Sequence, residues 1–180
     1  MRHPVDEKRL RAFFRALGDE AEADARIYVT GGATAVLKGW RPSTIDVDIK
    51  VLPERDSILR AIPRLKEELQ INVELASPDH FIPELPGWQE RSAFIERGGR
   101  VSFHHYDFYA QALAKIERGH RKDLQDAREM VGRGLIEPSR LRDFFEAIEP
   151  RLYRYPAIDP KSFRGAVEEF LASAGRARQP

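Results

Sequence analysis

Apolar positions change their spacing several times along the chain, and each change marks an element. Val5, Leu10, Phe13, Phe14 and Leu17 fall on one helical stripe, which predicts a helix over Val5–Asp24 that weakens at Gly18 and the acidic run after it. Ile27-Tyr28-Val29 reads as a short buried strand stopping at Gly31-Gly32, and Ala33 to Lys38 as a helix broken by Gly39. Arg41-Pro42-Ser43 is a turn signal. Thr44 to Leu52 then alternates as a second strand closed by Pro53. Arg55 to Gln70 has helical spacing with Pro63 inside it, and Ile71 to Leu75 alternates as a third strand.

The stretch from Ser77 to Gly87 carries Pro78, Pro83 and Pro86 and is expected to be an ordered loop around Phe81, Ile82 and Trp88. Ala93–Glu96 and Arg100–His104 flank Gly98-Gly99 as a β-hairpin. Four helical segments follow, Asp107–Arg118, Arg121–Val131, Ser139–Ile148 and Ser162–Ala174, with Asp107 and Ser139 as candidate N-caps. The tail from Gly175 to Pro180 is expected to fray. These elements predict an α+β protein: a small mixed β-sheet flanked by helices, spanning residues 1–106, and a helical C-terminal region, 107–180, packed on that core.

Composition narrows the chemistry. The 180 residues contain no Cys, which excludes a disulfide scaffold, a thiolate metal site and a cysteine nucleophile. No apolar run approaches the roughly 18 residues of a membrane span, and the first ten residues are charged, so a cytoplasmic protein without membrane association is expected. The net charge of +1 hides an asymmetry. Residues 1–90 carry 13 Lys+Arg against 16 Asp+Glu, and residues 91–180 carry 17 against 13. A basic second half suits a polyanionic partner.

The informative segment runs from Ile27 to Ile49. A glycine pair, Gly31-Gly32, lies between a strand and a helix, where backbone N–H groups can face a phosphate. Downstream, Asp46-Val47-Asp48 sits in an apolar strand. Alternation turns Ile45, Val47 and Ile49 toward the core and both aspartates to the other face, their Cα atoms roughly 6–7 Å apart. Two like charges so placed call for a proton or a metal, and oxygen donors alone favour Mg²⁺ or Mn²⁺. In the third strand Asn72 and Glu74 share the polar face. If the two strands are neighbours, Glu74 completes an acidic triad, as a ligand of a second metal or as the base for an attacking hydroxyl. Other motifs fail: there is no Gly-Lys-Ser/Thr after a glycine-rich loop, no Gly-x-Ser-x-Gly, and His104-His105 are adjacent on a strand and point apart.

Gly31-Gly32 followed by Thr44-x-Asp46-x-Asp48 resembles the signature of the nucleotidyltransferase (DNA polymerase β-like) superfamily. Downstream, Lys115, Arg118, Arg121, Asp123 and Asp126 are spaced in a way similar to the basic-then-acidic block of AbiEii-type nucleotidyltransferases, toxins of bacterial toxin–antitoxin pairs. The resemblance spans about residues 27–130. It implies a nucleotidyltransferase fold and transfer of a nucleoside monophosphate from an NTP to an acceptor hydroxyl, on an RNA 3′ end such as that of tRNA or on a protein. It implies Asp46 and Asp48 as ligands of Mg²⁺, Gly31, Gly32 and Thr44 at the nucleotide, Lys115 at its phosphates, and Asp123 at the functional acidic position. Many members carry Ser where this chain has Gly32; Thr30 or Thr34 is the candidate replacement hydroxyl. A cognate antitoxin is the expected protein partner. A catalytically inactive nucleotide-binding or protein-interaction module of the same fold is the alternative.

Overall fold

A computed structural model of the protein describes residues 3–176 and divides into two compact units. One comprises residues up to Ser77 together with Ser92–Tyr106; the other comprises Pro78–Arg91 together with the chain from Asp107 onward. Segment 78–91 thus groups with the helices and not with the sheet.

The first unit is built on a five-stranded mixed sheet of order β3-β2-β1-β5-β4. Its strands are β1 (Ala25–Thr30), β2 (Asp46–Leu52), β3 (Asn72–Glu74), β4 (Phe94–Gly98) and β5 (Val101–His105). β1 pairs antiparallel with β2 and parallel with β5, β2 pairs parallel with β3, and β4–β5 is an antiparallel hairpin with an irregular register between Phe94 and Glu96. Helices α1 (Glu7–Asp19), α2 (Gly31–Leu37) and α3 (Asp56–Glu68) complete the unit.

Each boundary has a local cause. α1 begins two residues later than its apolar stripe suggests, because Asp6 caps it by accepting from the Arg9 amide at 2.9 Å. Val5 is drawn instead into a two-residue bridge with Thr44, with N–O distances of 2.7 and 3.0 Å. The helix stops at Asp19, before Glu20, Glu22 and Asp24, whose charges oppose the negative end of its dipole. The same bridge takes Thr44 out of the ladder, so β2 starts at Asp46, and Ile45, expected in the core, is 42% exposed. Val47 and Ile49 are fully buried, as the alternation requires. α3 runs through Pro63 without a break. Phe14 of α1 stacks on Phe103 of β5 with ring centroids 4.4 Å apart, which seats the helix on the apolar face of the sheet.

The second unit opens with a 3₁₀ turn, Pro78–His80, and the single-turn α4 (Trp88–Arg91). Helices α5 (Phe108–Arg118), α6 (Arg121–Gly132), α7 (Pro138–Ile148) and α8 (Pro160–Arg176) follow, with a 3₁₀ segment, Glu149–Arg154, after α7. α5 is central and packs against α6, α7 and α8. Asp107 caps α5 through the Tyr109 amide, as expected. Ser139 does not cap α7; the helix starts one residue earlier at Pro138, whose fixed φ suits the first turn. Arg91 ties segment 78–91 to the helices, donating to Asp107 Oδ2 at 2.7 Å and covering the Phe144 ring. Gly175 and Arg176 continue α8, and the rest of the expected frayed tail, 177–180, lies outside the described residues. No helix among the described residues is long and apolar enough to cross a membrane.

One buried titratable group sits behind the sheet. His105, 5% exposed, meets the Thr34 hydroxyl with Nδ1 at 3.1 Å. The same hydroxyl donates to the Val29 carbonyl at 3.2 Å. Burial, with Lys38 and Arg11 adding positive charge, pulls the His105 pKa down to about 3. The folded protein therefore keeps His105 neutral where the unfolded chain, near 6.5, takes up a proton. Stability contributed by this group is complete above pH 6.5 and is lost as pH falls toward 3, by about 1.4 kcal/mol per unit. Urea denaturation of the wild type and His105→Gln between pH 7.5 and 5 is expected to show the steeper acid loss only in the wild type.

Candidate functional site

The polar face of β2 gathers the residues that the sequence singled out. Asp46, Asp48 and Lys50 follow one another on it, half-buried, while Val47, Ile49 and Val51 fill the core behind. The register sets Asp48 opposite Thr30 on one side and Glu74 on the other, and Asp46 opposite Asn72. β3 is therefore the neighbour of β2, and Glu74 lies beside the aspartates. Asn72 stands between the acids: its amide nitrogen donates to Asp46 Oδ1 at 2.7 Å and to Glu74 Oε1 at 3.0 Å. Asp46 thereby keeps one carboxylate oxygen fixed by a neutral donor.

The glycine pair is pressed against this face. Gly31 has φ +65°, and a Cβ there would lie 2.5 Å from Asp48 Oδ2. At Gly32 a Cβ would lie 2.1 Å from Thr44 Oγ1 and 2.9 Å from its Cβ. α2 begins at Gly31 itself, two residues before the apolar spacing suggests, because backbone without side chains is what fits between these groups. Thr44 is pinned by its bridge to Val5, and its hydroxyl donates to the Asp46 carbonyl at 3.1 Å.

The Thr44 hydroxyl occupies the space beside Gly32. Thr30 is 6% exposed. Thr34, expected at the nucleotide, is fully buried, and its hydroxyl is committed to Val29 and His105. That orientation leaves Thr34 no surface for a ligand.

Among the described residues no group of three or more His, Cys, Asp or Glu side chains is placed to hold a metal ion. Glu74 accordingly does not join Asp46 and Asp48 in a ready three-carboxylate cage; it is exposed and tied to Asn72. Two aspartates on one strand face still fit a hard cation that draws its other oxygens from water and phosphate, which is how Mg²⁺ is commonly held.

Lys115, Asp123 and Asp126 lie in the second unit, where they join α5 to α6. Lys115 Nζ donates to Asp126 Oδ2 at 2.7 Å and Asp123 Oδ1 at 3.3 Å, and Arg118 makes two bonds to Asp123, at 3.0 and 2.7 Å. Lys115 is 8% exposed and Asp126 1%. Burial pushes the Asp123 carboxyl up, but Arg118 and Lys115 outweigh it and hold the group below its ordinary range. The charged residues of that block meet one another as an ionic clamp joining α5 to α6. The signal for Asp126 and Arg118 was in that block; Asn72 had none beyond its place on the polar face.

Residues 8–167 match a family described as nucleotidyltransferases of unknown function, DUF6036, and the chain belongs to that family. No match was found among curated proteins or among solved structures. The five-stranded mixed sheet with flanking helices is a nucleotidyltransferase fold.

Two outcomes follow for stability. Lys115→Ala removes a cation bonded to the buried Asp126 carboxylate and is expected to cost about 3–5 kcal/mol in urea unfolding, with much of it recovered in Lys115→Met/Asp126→Leu. Gly32→Ala drives a methyl into Thr44 and is expected to cost roughly 1–3 kcal/mol, partly restored by adding Thr44→Gly.

Proposed function

We propose that the protein is a Mg²⁺-dependent nucleotidyltransferase moving a nucleoside monophosphate from an NTP to an acceptor hydroxyl. The observation that carries this reading is the meeting of Asp46, Asp48 and the Gly31-Gly32 turn on one face of β2, in a chain of a nucleotidyltransferase family. Asp46 and Asp48 would hold Mg²⁺, or Mn²⁺, which when bound supplies charge neutralisation for the polyphosphate. In the reaction the acceptor oxygen forms a bond to the α-phosphorus, the α–β phosphoanhydride bond breaks, and pyrophosphate leaves with the electron pair. Glu74, opposite Asp48 and reachable from solvent, is the base that takes the acceptor proton. Asn72 orients both Glu74 and Asp46. Gly31 and Gly32 let backbone approach the nucleotide, with Thr44 as the hydroxyl beside them. Lys115 and Asp123, given by resemblance as phosphate and acidic-motif residues, are clamped in the helical unit, and this reading rests on the sheet residues alone.

For the acceptor we favour the 3′ hydroxyl of an RNA such as tRNA, supported by the surplus of four positive charges in residues 91–180. The biological setting we propose is the toxin side of a toxin–antitoxin pair, silenced by a cognate protein and acting in the cytoplasm. That part rests on the resemblance of the Lys115–Asp126 block to AbiEii-type proteins. Growth arrest on expression, relieved by a neighbouring gene product and absent in Asp46→Asn, is the expected cellular result.

The direct test supplies each α-labelled NTP with Mg²⁺ and total tRNA or protein. Wild-type protein is expected to transfer label, and Asp46→Asn and Asp48→Asn to fall by at least about a hundredfold. No transfer to any acceptor, together with no Mg²⁺-dependent thermal shift by any NTP, would sink the enzyme reading.

A further inference from the structure

The two glycines are flanked by opposite charges. The position a Cβ would take on Gly31 faces the Asp48 carboxylate at 2.5 Å, and that on Gly32 faces the Arg41 guanidinium, Nη1, at 3.6 Å, with the Thr44 hydroxyl closer still. Arg41 reaches this place because the chain folds back after α2: Gly39 takes φ +84°, and the amides of Trp40 and Arg41 both donate to the Ala35 carbonyl, at 3.1 and 3.3 Å. Pro42 then fixes the turn into the Thr44 bridge. Arg41 is half-buried, so its charge is less screened than that of a fully exposed arginine.

We propose that Arg41 is the anion-binding side of the site and contacts the non-bridging oxygens of the polyphosphate chain of the NTP. A guanidinium presents a planar fork of donors that matches phosphate oxygens. The hydroxyl of Thr44 donates to Asp46 and keeps lone pairs, so it fixes the strand that carries the aspartates and leaves donation to phosphate to Arg41. A ligand that pairs a divalent cation with anionic oxygens meets carboxylate on the Gly31 side and guanidinium on the Gly32 side. A free metal ion or a free anion would satisfy only one of them. The inference rests on the proposed nucleotidyltransferase reading and assigns the phosphate side of that same site.

Calorimetric titration of the full chain with tripolyphosphate plus Mg²⁺, at fixed ionic strength, reads the phosphate side without a base or an acceptor. Mn²⁺ binding in the absence of phosphate reads the metal side. Arg41→Ala is expected to weaken tripolyphosphate binding about tenfold to a hundredfold while leaving Mn²⁺ binding in place, and Arg41→Lys to fall between it and the wild type. Asp46→Asn is expected to lose Mn²⁺. Where Arg41→Ala lowers the thermal midpoint, Arg41→Gln gives the comparison in a chain of retained hydrogen-bonding capacity. Wild-type affinity for tripolyphosphate in a folded Arg41→Ala or Arg41→Gln protein overturns the assignment alone, provided Asp46→Asn has lost Mn²⁺. A wild-type protein that binds neither Mn²⁺ nor Mg²⁺-tripolyphosphate overturns both the assignment and the functional reading beneath it.

Discussion

Alternation along β2 fixes where the two aspartates of the candidate site can go. With Val47, Ile49 and Val51 sealed in the core, Asp46 and Asp48 have no freedom to turn inward, and the ladder to β1 and β3 sets their distance from Thr30, Asn72 and Glu74. A one-residue slip would bury both carboxylates and expose the core. The burial of three aliphatic side chains thus supplies the free energy that holds two like charges side by side on the opposite face.

The second constraint is the absence of side chains at 31 and 32. Polar groups on β2 and on the turn before it approach the first turn of α2 so closely that only bare backbone fits. Thr44 links the two constraints. Its backbone bridges to Val5, its hydroxyl bonds the Asp46 carbonyl, and its side chain fills the space over Gly32. A residue outside the regular strand therefore joins the N-terminal segment, the glycine turn and the first aspartate.

Much of this was legible in the sequence because the determinants are local. The stripe on α1, the alternation on β2 and β3, and the cap at Asp107 all follow from residues within a few positions of one another. What the sequence could not carry were pairings over distance. The Val5–Thr44 bridge moved two boundaries, Thr34 turned inward to meet His105 from a strand 71 residues away, and Asn72 took up a place between Asp46 and Glu74. The Lys115–Asp126 block shows the same limit from the other side. Its spacing was plain, but only the helix packing reveals that the charges meet each other.

The discontinuity of the helical unit bears on how the chain is made. Synthesis from the N-terminus completes the strands of the sheet by His105, while segment 78–91 has already emerged without the helices that cover it. Ile82, Leu85 and Trp88, all buried in the finished protein, wait for α5, α7 and the segment after α7 to leave the ribosome. During that interval a nascent chain with a formed sheet displays an apolar loop near its growing end. Apolar surface left uncovered in this way is what chaperones and proteases recognise in a chain still being made.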